Sequence, residues 1–208
     1  MKSVICYGDS NTYGYDPRNG LRYPKELRWT TILQKLLGAE YEVIVEGLNG
    51  RTTAYPRIDG EYKNGLPYLL PCLASHKPID YIIFMLGTND CNVDLNLSSK
   101  DISIGMEKLL DIATKEILSI QDYVPEIILV VPASIGSNYL YSPFADQLDE
   151  LSVIKSKELA SLYKELSNKY GCEYLDCSKL EVSSVDSEHL TIKSHQELAR
   201  LLYEKIRS

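Results

Sequence analysis

The sequence has no cluster of positive charge and no long apolar run. Its net charge is −7 and basic residues occur only singly or in twos, which excludes a surface for nucleic acid or anionic membrane. No apolar run approaches the roughly 20 residues that span a bilayer. A signal peptide needs an apolar stretch of about 7 to 15 residues, whereas residues 4–7 are followed at once by Gly8 and Asp9.

Paired cysteines are also missing. The five cysteines are odd in number and scattered, and none forms a C-x-x-C pair: Cys6, Cys72, Cys91, Cys172 and Cys177. This pattern excludes a disulfide framework and a cysteine-based zinc site, and it favours a reducing compartment. We therefore expect a cytoplasmic protein that holds no metal.

Short apolar runs alternate with longer amphipathic stretches along the chain. Five runs are predicted strands, and the middle ones are almost continuously apolar, as in parallel strands covered on both faces: residues 3–7, 41–45, 81–86, 126–131 and 173–175. Helices are predicted between and after them, at residues 29–37, 62–74, 101–120, 146–170 and from Thr191 onward. The alternation predicts one α/β domain over residues 1–208, a three-layer α/β/α sandwich with a mostly parallel five-stranded sheet.

Polar residues follow several of the predicted strands. Ser10 follows the first, Asn49–Thr53 the second and Gly87–Asp90 the third, and Asp186 and His189 come after the fifth. The carboxyl ends of parallel strands lie at one edge of the sheet, where open sheets bind their ligands. We therefore expect these residues to meet in one site.

The residue types in these segments suit acyl transfer. A serine hydroxyl needs a base within hydrogen-bond reach, and His189 is predicted to serve Ser10 in that role. Asp186 is predicted to hold the imidazole tautomer and to stabilise the imidazolium. The backbone N–H groups of Ser10 and Gly50 and the side-chain amide of Asn89 are the predicted oxyanion donors.

Some of these assignments have alternatives. Ser10 also suits a turn or a helix N-cap, and Asp90 and Asn92 compete with Asn89. Cys91 is an alternative thiol nucleophile, although a buried cysteine is the commoner case.

The sequence has only three histidines, so few bases are available. His195 competes with His189 but has no carboxylate three residues before it, and a packing role is expected. His76 precedes the third strand, at the opposite edge from the site, and is expected to be structural. Asp9 is likewise expected to bond nearby backbone.

Four blocks of the sequence resemble the signature blocks of the SGNH (GDSL) hydrolase superfamily, in the same order: Gly8-Asp9-Ser10, Asn49-Gly50-Arg51, Gly87-Thr88-Asn89-Asp90 and Asp186-x-x-His189. The longer segments 8–15, 28–30, 46–53 and 85–90 resemble its arylesterase/acyltransferase branch. The resemblance implies a flavodoxin-like fold and ester hydrolysis through an acyl-enzyme, without metal or cofactor. It also implies acyl transfer to alcohols in some members. Tyr13 and Tyr15 stand where those relatives carry tryptophans, so pocket shape is not transferred.

We therefore predict a serine esterase that acts on a small-molecule ester with a short acyl or aryl part. A thioesterase and a carbohydrate O-deacetylase of the same fold stay open, as does a homo-oligomer. Irregular segments follow the first motif, at residues 16–25, and the fourth strand, at residues 133–145. The predicted substrate contacts are Tyr15, which precedes the first of these segments, and Tyr139 and Phe144 in the second. A nucleotide-binding module is a remote alternative, because no G-x-G-x-x-G or G-x-x-x-x-G-K-[ST] motif occurs.

Overall fold

The structure, a computed structural model, describes residues 1–208. The strands are β1 (Lys2–Gly8), β2 (Tyr15–Asp16), β3 (Leu21–Arg22), β4 (Tyr41–Gly47), β5 (Tyr81–Met85), β6 (Glu126–Val131) and β7 (Glu173–Asp176). The helices are α1 (Ser10–Tyr13), α2 (Trp29–Leu37), α3 (Gly65–His76), α4 (Ser99–Thr114), α5 (Glu150–Tyr170) and α6 (Ile192–Arg207). None of these helices combines the length and the apolar character needed to cross a membrane.

Five strands form the central sheet in the order β4-β1-β5-β6-β7, and every neighbouring pair is parallel. From β1 the chain first adds β4 on one side and then crosses to β5 on the other. The loops after β1 and β5 therefore separate at this switch point, where parallel sheets open a ligand crevice. The predicted five-stranded sheet is confirmed, and all of it is parallel.

Helices cover both faces of the sheet because strand side chains alternate between two apolar layers. Ile5 and Tyr7 of β1 belong to a core cluster with residues of α3, α4 and α5. Val4 and Cys6 belong to a second cluster with residues of α2 and α6. Both faces of β1 are thus buried, which explains its unbroken apolar sequence and confirms the three-layer α/β/α fold.

Capping residues set the helix ends, and these differ from the predicted ends. Helix α3 begins at Gly65 rather than residue 62 because the side chain of Asn64 accepts from the N–H of Leu66. A capping box that Asp149 forms with Ser152 starts α5 at Glu150 rather than residue 146. Helix α4 ends at Thr114, and a 3₁₀ turn at residues 116–119 replaces its predicted last turn.

Candidate active site

Ser10 is the first residue of α1, directly after the buried strand β1. Asp9 caps this short helix, since its side chain accepts a hydrogen bond of 2.9 Å from the N–H of Asn11. This bond gives Asp9 the structural role expected from the sequence. The cap turns the chain sharply at the end of the strand, so that the Ser10 hydroxyl faces the crevice above the sheet.

The structure brings Ser10, His189 and Asp186 into one chain of hydrogen bonds. The Nε2 atom of His189 lies 2.8 Å from the Ser10 hydroxyl oxygen. On the other side of the ring, Nδ1 lies 2.6 Å from Asp186 Oδ2. All three residues are buried. This is the geometry in which a histidine can remove a serine proton while a carboxylate orients it.

The segment that carries His189 is fixed from two directions. Within it, Asp186 Oδ1 accepts from the backbone N–H groups of Glu188 and His189, at 3.2 Å and 3.1 Å. From the β1 loop, the Asn11 side chain accepts from the N–H of Leu190 at 2.8 Å and donates to the carbonyl of Glu188 at 3.3 Å. Asn11 therefore ties the segment of the base to the nucleophile turn, a contact that the sequence did not single out.

Opposing effects set the pKa of His189. Burial disfavours the imidazolium and lowers the pKa, whereas the hydrogen bond with Asp186 and the charges of Glu188, Asp186 and Asp9 raise it. The net direction is upward from the ordinary value. The ring is therefore a stronger base than a free imidazole.

The three predicted oxyanion donors border the Ser10 hydroxyl. As first residue of α1, Ser10 has an N–H without an acceptor inside the helix. Gly50 has φ +78°, and its N–H has no acceptor in the protein. The side-chain Nδ2 of Asn89 donates to the carbonyl of Arg51 at 3.1 Å, which orients the amide. All three residues line one cavity with His189.

Buried side chains lock the loops that carry these donors. Asp90 accepts from the N–H and the hydroxyl of Thr53, at 3.0 Å and 2.6 Å, and so joins the loops after β5 and β4. Arg51 donates to the carbonyl of Gly8 at 3.1 Å and joins the β4 loop to β1. Burial raises the pKa of Asp90 to about 7, against the bonds from Thr53. Asp90 is therefore a brace outside the cavity.

The cavity above Ser10 has a volume of about 230 Å³. Of its 13 lining residues only two are hydrophobic, and these are Tyr15 and Phe144. The rest are Ser10, Asn49, Gly50, Arg57, Asp59, Lys63, Asn89, Asn92, Gln147, Glu188 and His189. The wall is therefore mostly hydrogen-bonding and charged.

Two of the three predicted substrate contacts line this cavity. The ring of Tyr15 lies 4.3 Å from that of His189, and the ring of Phe144 lies 6.1 Å from it, measured between centroids. Tyr139 is not among the lining residues and is half-buried against the larger core cluster. The segment 133–145 thus brings Phe144 to the site and turns Tyr139 inward.

Charged residues that the sequence did not single out stand in the wall. Glu188 lies beside His189, and burial raises the pKa of its carboxyl to about 7, with Asp186 and Asp9 adding to the shift. Arg57 reaches the wall from the loop after β4 and bonds Asp59 through Nε at 2.9 Å. For Glu188, the one signal in the sequence was its position between Asp186 and His189.

The other histidines do not reach the cavity. His195 is buried in α6, where its Nδ1 accepts from the N–H of Trp29 at 3.3 Å. Burial lowers the pKa of His195 to about 4, with the charge of His189 acting in the same direction. Cys91 is fully buried and donates to the carbonyl of Gly87 at 3.3 Å, and burial raises the pKa of its thiol. Neither residue is placed to act on a substrate.

His76, Glu46 and Cys72 offer three possible metal ligands within 4.8 Å of one another. The His76 ring nitrogen already lies 2.8 Å from the Glu46 carboxylate, a contact that joins α3 to β4. The guanidinium of Arg51 lies 5.4 Å from the ring of Tyr68, which itself bonds Glu46. A fixed cation beside these groups opposes metal binding. The contact between His76 and Glu46 therefore serves to hold α3 against β4. The absence of a metal stays a prediction.

Comparison with known proteins gives matches over nearly the whole chain. A model of the GDSL-like lipase/acylhydrolase family matches residues 6–200. A solved carbohydrate acetylesterase from Sinorhizobium meliloti is 32% identical with a TM-score of 0.92, covering 100% of this chain and 99% of its own. The aryl esterase of M. smegmatis has the same identity, TM-score and coverage.

A more distant solved structure is similar to this chain in fold only. The lipase/acylhydrolase from Enterococcus faecalis is 19% identical with a TM-score of 0.71, covering 100% of this chain and 96% of its own. No curated protein sequence matches this one significantly. From the family match and the esterase structures together, the chain belongs to the GDSL-like lipase/acylhydrolase family and is a serine ester hydrolase with the SGNH fold.

Proposed function

We propose that this protein hydrolyses short-chain acyl esters through an acyl-enzyme formed on Ser10. The observation that carries the proposal is the 2.8 Å contact of the Ser10 hydroxyl with His189 Nε2, backed by the 2.6 Å contact of Nδ1 with Asp186. A hydroxyl, a base and an orienting carboxylate within hydrogen-bond reach are the requirements of an activated serine nucleophile.

In the first half of the reaction, the Ser10 oxygen attacks the ester carbonyl while His189 Nε2 takes the hydroxyl proton. Asp186 accepts a hydrogen bond from Nδ1–H and stabilises the imidazolium. The carbonyl oxygen becomes negative and receives hydrogen bonds from the N–H groups of Ser10 and Gly50 and from the Asn89 amide. His189 then gives its proton to the departing alcohol, which leaves the acyl group on Ser10.

In the second half, a water molecule takes the place of the alcohol. His189 removes its proton, and the new oxyanion is held by the same donors. Collapse of this intermediate releases the carboxylic acid and returns the proton to Ser10. An alcohol that enters instead of water would yield a new ester, which is the basis of acyl transfer at such a site.

The size of the cavity limits the acyl group. About 230 Å³ is shared between the acyl part and the portion of the alcohol that enters. Drug-sized ligands occupy pockets of roughly 300 to 1,000 Å³, so an acetyl or similarly short group fits this space best. We therefore propose acetyl esters as the main substrates.

A carbohydrate acetyl ester is the second candidate, and the polar wall favours it. Only two of the 13 lining residues are hydrophobic, which suits an alcohol with hydroxyl groups better than an aryl alcohol. The similar Sinorhizobium meliloti protein is named as a carbohydrate acetylesterase, and the similar M. smegmatis protein as an aryl esterase. A thioester substrate has no specific observation in its favour.

The cytoplasm is the proposed location, with one domain over the whole chain and a small-molecule ester as the partner. All five cysteines are free, as suits a reducing compartment. The net charge of −7 argues against nucleic acid as a partner. The residues of the site come from loops after all five strands of a single sheet, which supports one folding unit.

Replacement of the nucleophile tests the proposal. Ser10→Ala is expected to abolish hydrolysis of p-nitrophenyl acetate, because it removes the hydroxyl that contacts His189 Nε2. Steady-state kinetics measures the loss, and circular dichroism with thermal unfolding checks that the variant folds. Exposed Ser161 on α5 gives a matched control, Ser161→Ala, which should keep wild-type rates. Wild-type activity in a folded Ser10→Ala variant would contradict the proposal.

A further inference from the structure

The carboxylate of Glu188 lines the catalytic cavity without a hydrogen bond from any protein donor. Its side chain is only 14% exposed, and its closest cationic partner is His189 Nδ1 at 3.8 Å. That nitrogen is already engaged with Asp186 at 2.6 Å. A largely buried carboxylate without donors is costly, and such groups are concentrated at sites that bind ligands.

Arg57 supplies unused donors to the wall of the same cavity. Its side chain is 7% exposed and contacts Asp59 at 2.9 Å and Asp94 at 3.8 Å. Its Nη2 makes no hydrogen bond, since the nearest carboxylate oxygen, on Asp94, is 3.8 Å away. The buried Nη1 also has no acceptor, and the buried Oδ1 of Asn92 has no donor. Glu188 and Arg57 do not pair with each other. The wall therefore holds donors and acceptors that the protein itself leaves unmatched.

Glu188 also borders the part of the cavity where the alcohol must sit. The leaving oxygen receives its proton from His189 Nε2, so the alcohol lies against the imidazole. Glu188 is the residue before His189 and lines the same cavity, with its carboxylate 3.8 Å from Nδ1 of that ring. The acyl oxygen, by contrast, is held on the side of Gly50 and Asn89.

We propose that Glu188 and Arg57 form a hydroxyl-binding subsite for the alcohol half of the ester, so that the substrate is the acetyl ester of a neutral polyol such as a sugar. Each hydroxyl both donates and accepts, so neighbouring hydroxyls match a carboxylate and a guanidinium at once. An aryl alcohol would desolvate both charged groups without replacing their hydrogen bonds.

Charge on the alcohol is disfavoured in either sign. An anionic group would be drawn to Arg57 and Lys63, but Asp59 contacts both of these cations, at 2.9 Å and 2.5 Å, and Glu188 would repel the anion. A cationic group would be drawn to Glu188 but repelled by Arg57. A neutral alcohol with several hydroxyls uses the carboxylate and the guanidinium together.

This inference rests on the proposed esterase function. The ratio of kcat/KM values for two substrates tests the subsite separately from the esterase activity itself. We would measure kcat/KM for a mono-O-acetylated methyl glycoside and for p-nitrophenyl acetate in the wild type, Glu188→Leu, Glu188→Gln and Arg57→Met. The ratio of glycoside to aryl ester should fall about 10- to 100-fold in Glu188→Leu and in Arg57→Met, as expected for a lost hydrogen bond to a charged group. Glu188→Gln should recover part of it.

Two controls keep the outcome interpretable. The exposed carboxylate of Glu26 gives the matched variant Glu26→Leu, which should keep the wild-type ratio. Labelling of Ser10 by a fluorophosphonate shows in every variant that the protein is folded and that the nucleophile is active. Absence of labelling in the wild type would overturn the proposed function. Labelling with a ratio unchanged in all variants would overturn only the subsite.

A substrate series gives a second test on the unmodified protein. The neutral glycoside acetate should be preferred over acetylcholine, which is cationic, and over O-acetyl-lactate, which is anionic. Preference for either charged ester would overturn the proposal, because it would mean that one member of the Glu188 and Arg57 pair dominates the subsite.

Discussion

Asn89 is the side chain on which oxyanion binding can be tested most directly. Its amide is oriented by the carbonyl of Arg51 at 3.1 Å and lines the cavity beside Ser10. Asn89→Ala should lower kcat for p-nitrophenyl acetate by about 100- to 1,000-fold, the cost of one lost oxyanion donor, with little change in KM. A folded variant whose kcat stays within about threefold of the wild type would exclude Asn89 from this role.

The pH dependence of the rate tests His189. The imidazole must be neutral to accept the Ser10 proton, so activity is lost as the pH falls below its pKa. Burial lowers this pKa, but Asp186, Glu188 and Asp9 together raise it by more than burial lowers it. The net direction is therefore upward. The acid limb of kcat/KM should therefore inflect above the ordinary imidazole value of about 6.5.

Glu188→Gln provides the contrast for this profile. Loss of the carboxylate removes one of the charges that raise the pKa of His189, so the acid limb should move to lower pH. Glu26→Gln, at an exposed carboxylate, should leave it in place. A rate that is flat between about pH 5 and 8 would remove His189 as the base.

For single residues, the sequence indicated the reacting side chains and two aromatic wall residues, Tyr15 and Phe144, but not the charged residues of the wall. Ser10 stands just after β1, and Asp186 lies only three residues before His189, so their meeting follows from the strand order and from this short spacing. Arg57 lies in an irregular segment after β4, and its approach to the cavity depends on the path of that loop. Tyr139 shows the same difficulty, because one turn of a loop decides whether its ring faces the site or the core.

Between elements, Asn11 connects the turn of the nucleophile to the segment of the base. Its side chain bonds the N–H of Leu190 at 2.8 Å and the carbonyl of Glu188 at 3.3 Å. Asn11→Ala should lower kcat about 10- to 100-fold, since a displacement of about 1 Å at the base is costly, while KM changes little. The exposed Asn168 on α5 gives the control Asn168→Ala, expected to match the wild type.

Two further measurements distinguish a positioning role of Asn11 from general destabilisation of the protein. The variant should keep its melting temperature within a few degrees while its rate of fluorophosphonate labelling falls with kcat. Equal labelling rates in Asn11→Ala and the wild type would show that Asn11 does not orient His189.

Elements were predicted better than their ends. Apolar periodicity identified all five strands of the sheet and the face of each long helix, because burial imposes that pattern on the sequence. The start of α3 depends on one bond that the Asn64 side chain accepts from a backbone N–H, and the start of α5 on the capping box of Asp149 and Ser152. Other residues nearby could cap the helix equally well, so the apolar periodicity of the sequence gives the helix ends only approximately.

For the whole molecule, the parallel sheet explains why so distant residues form one site. Ser10 and His189 are 179 positions apart in the sequence, yet each follows a strand whose carboxyl end meets the same edge. That convergence was predictable from the strand order. The polarity of the cavity was not, because it arises where the loops after all five strands of the sheet come together.

Active-site labelling of the intact protein tests directly whether Ser10 is the nucleophile. A fluorophosphonate should modify one residue per chain, and peptide mass spectrometry should locate it at Ser10, with activity lost in proportion to the modified fraction. Labelling should be absent from Ser10→Ala. Modification of a different residue, or full activity in fully labelled protein, would show that Ser10 is not the nucleophile.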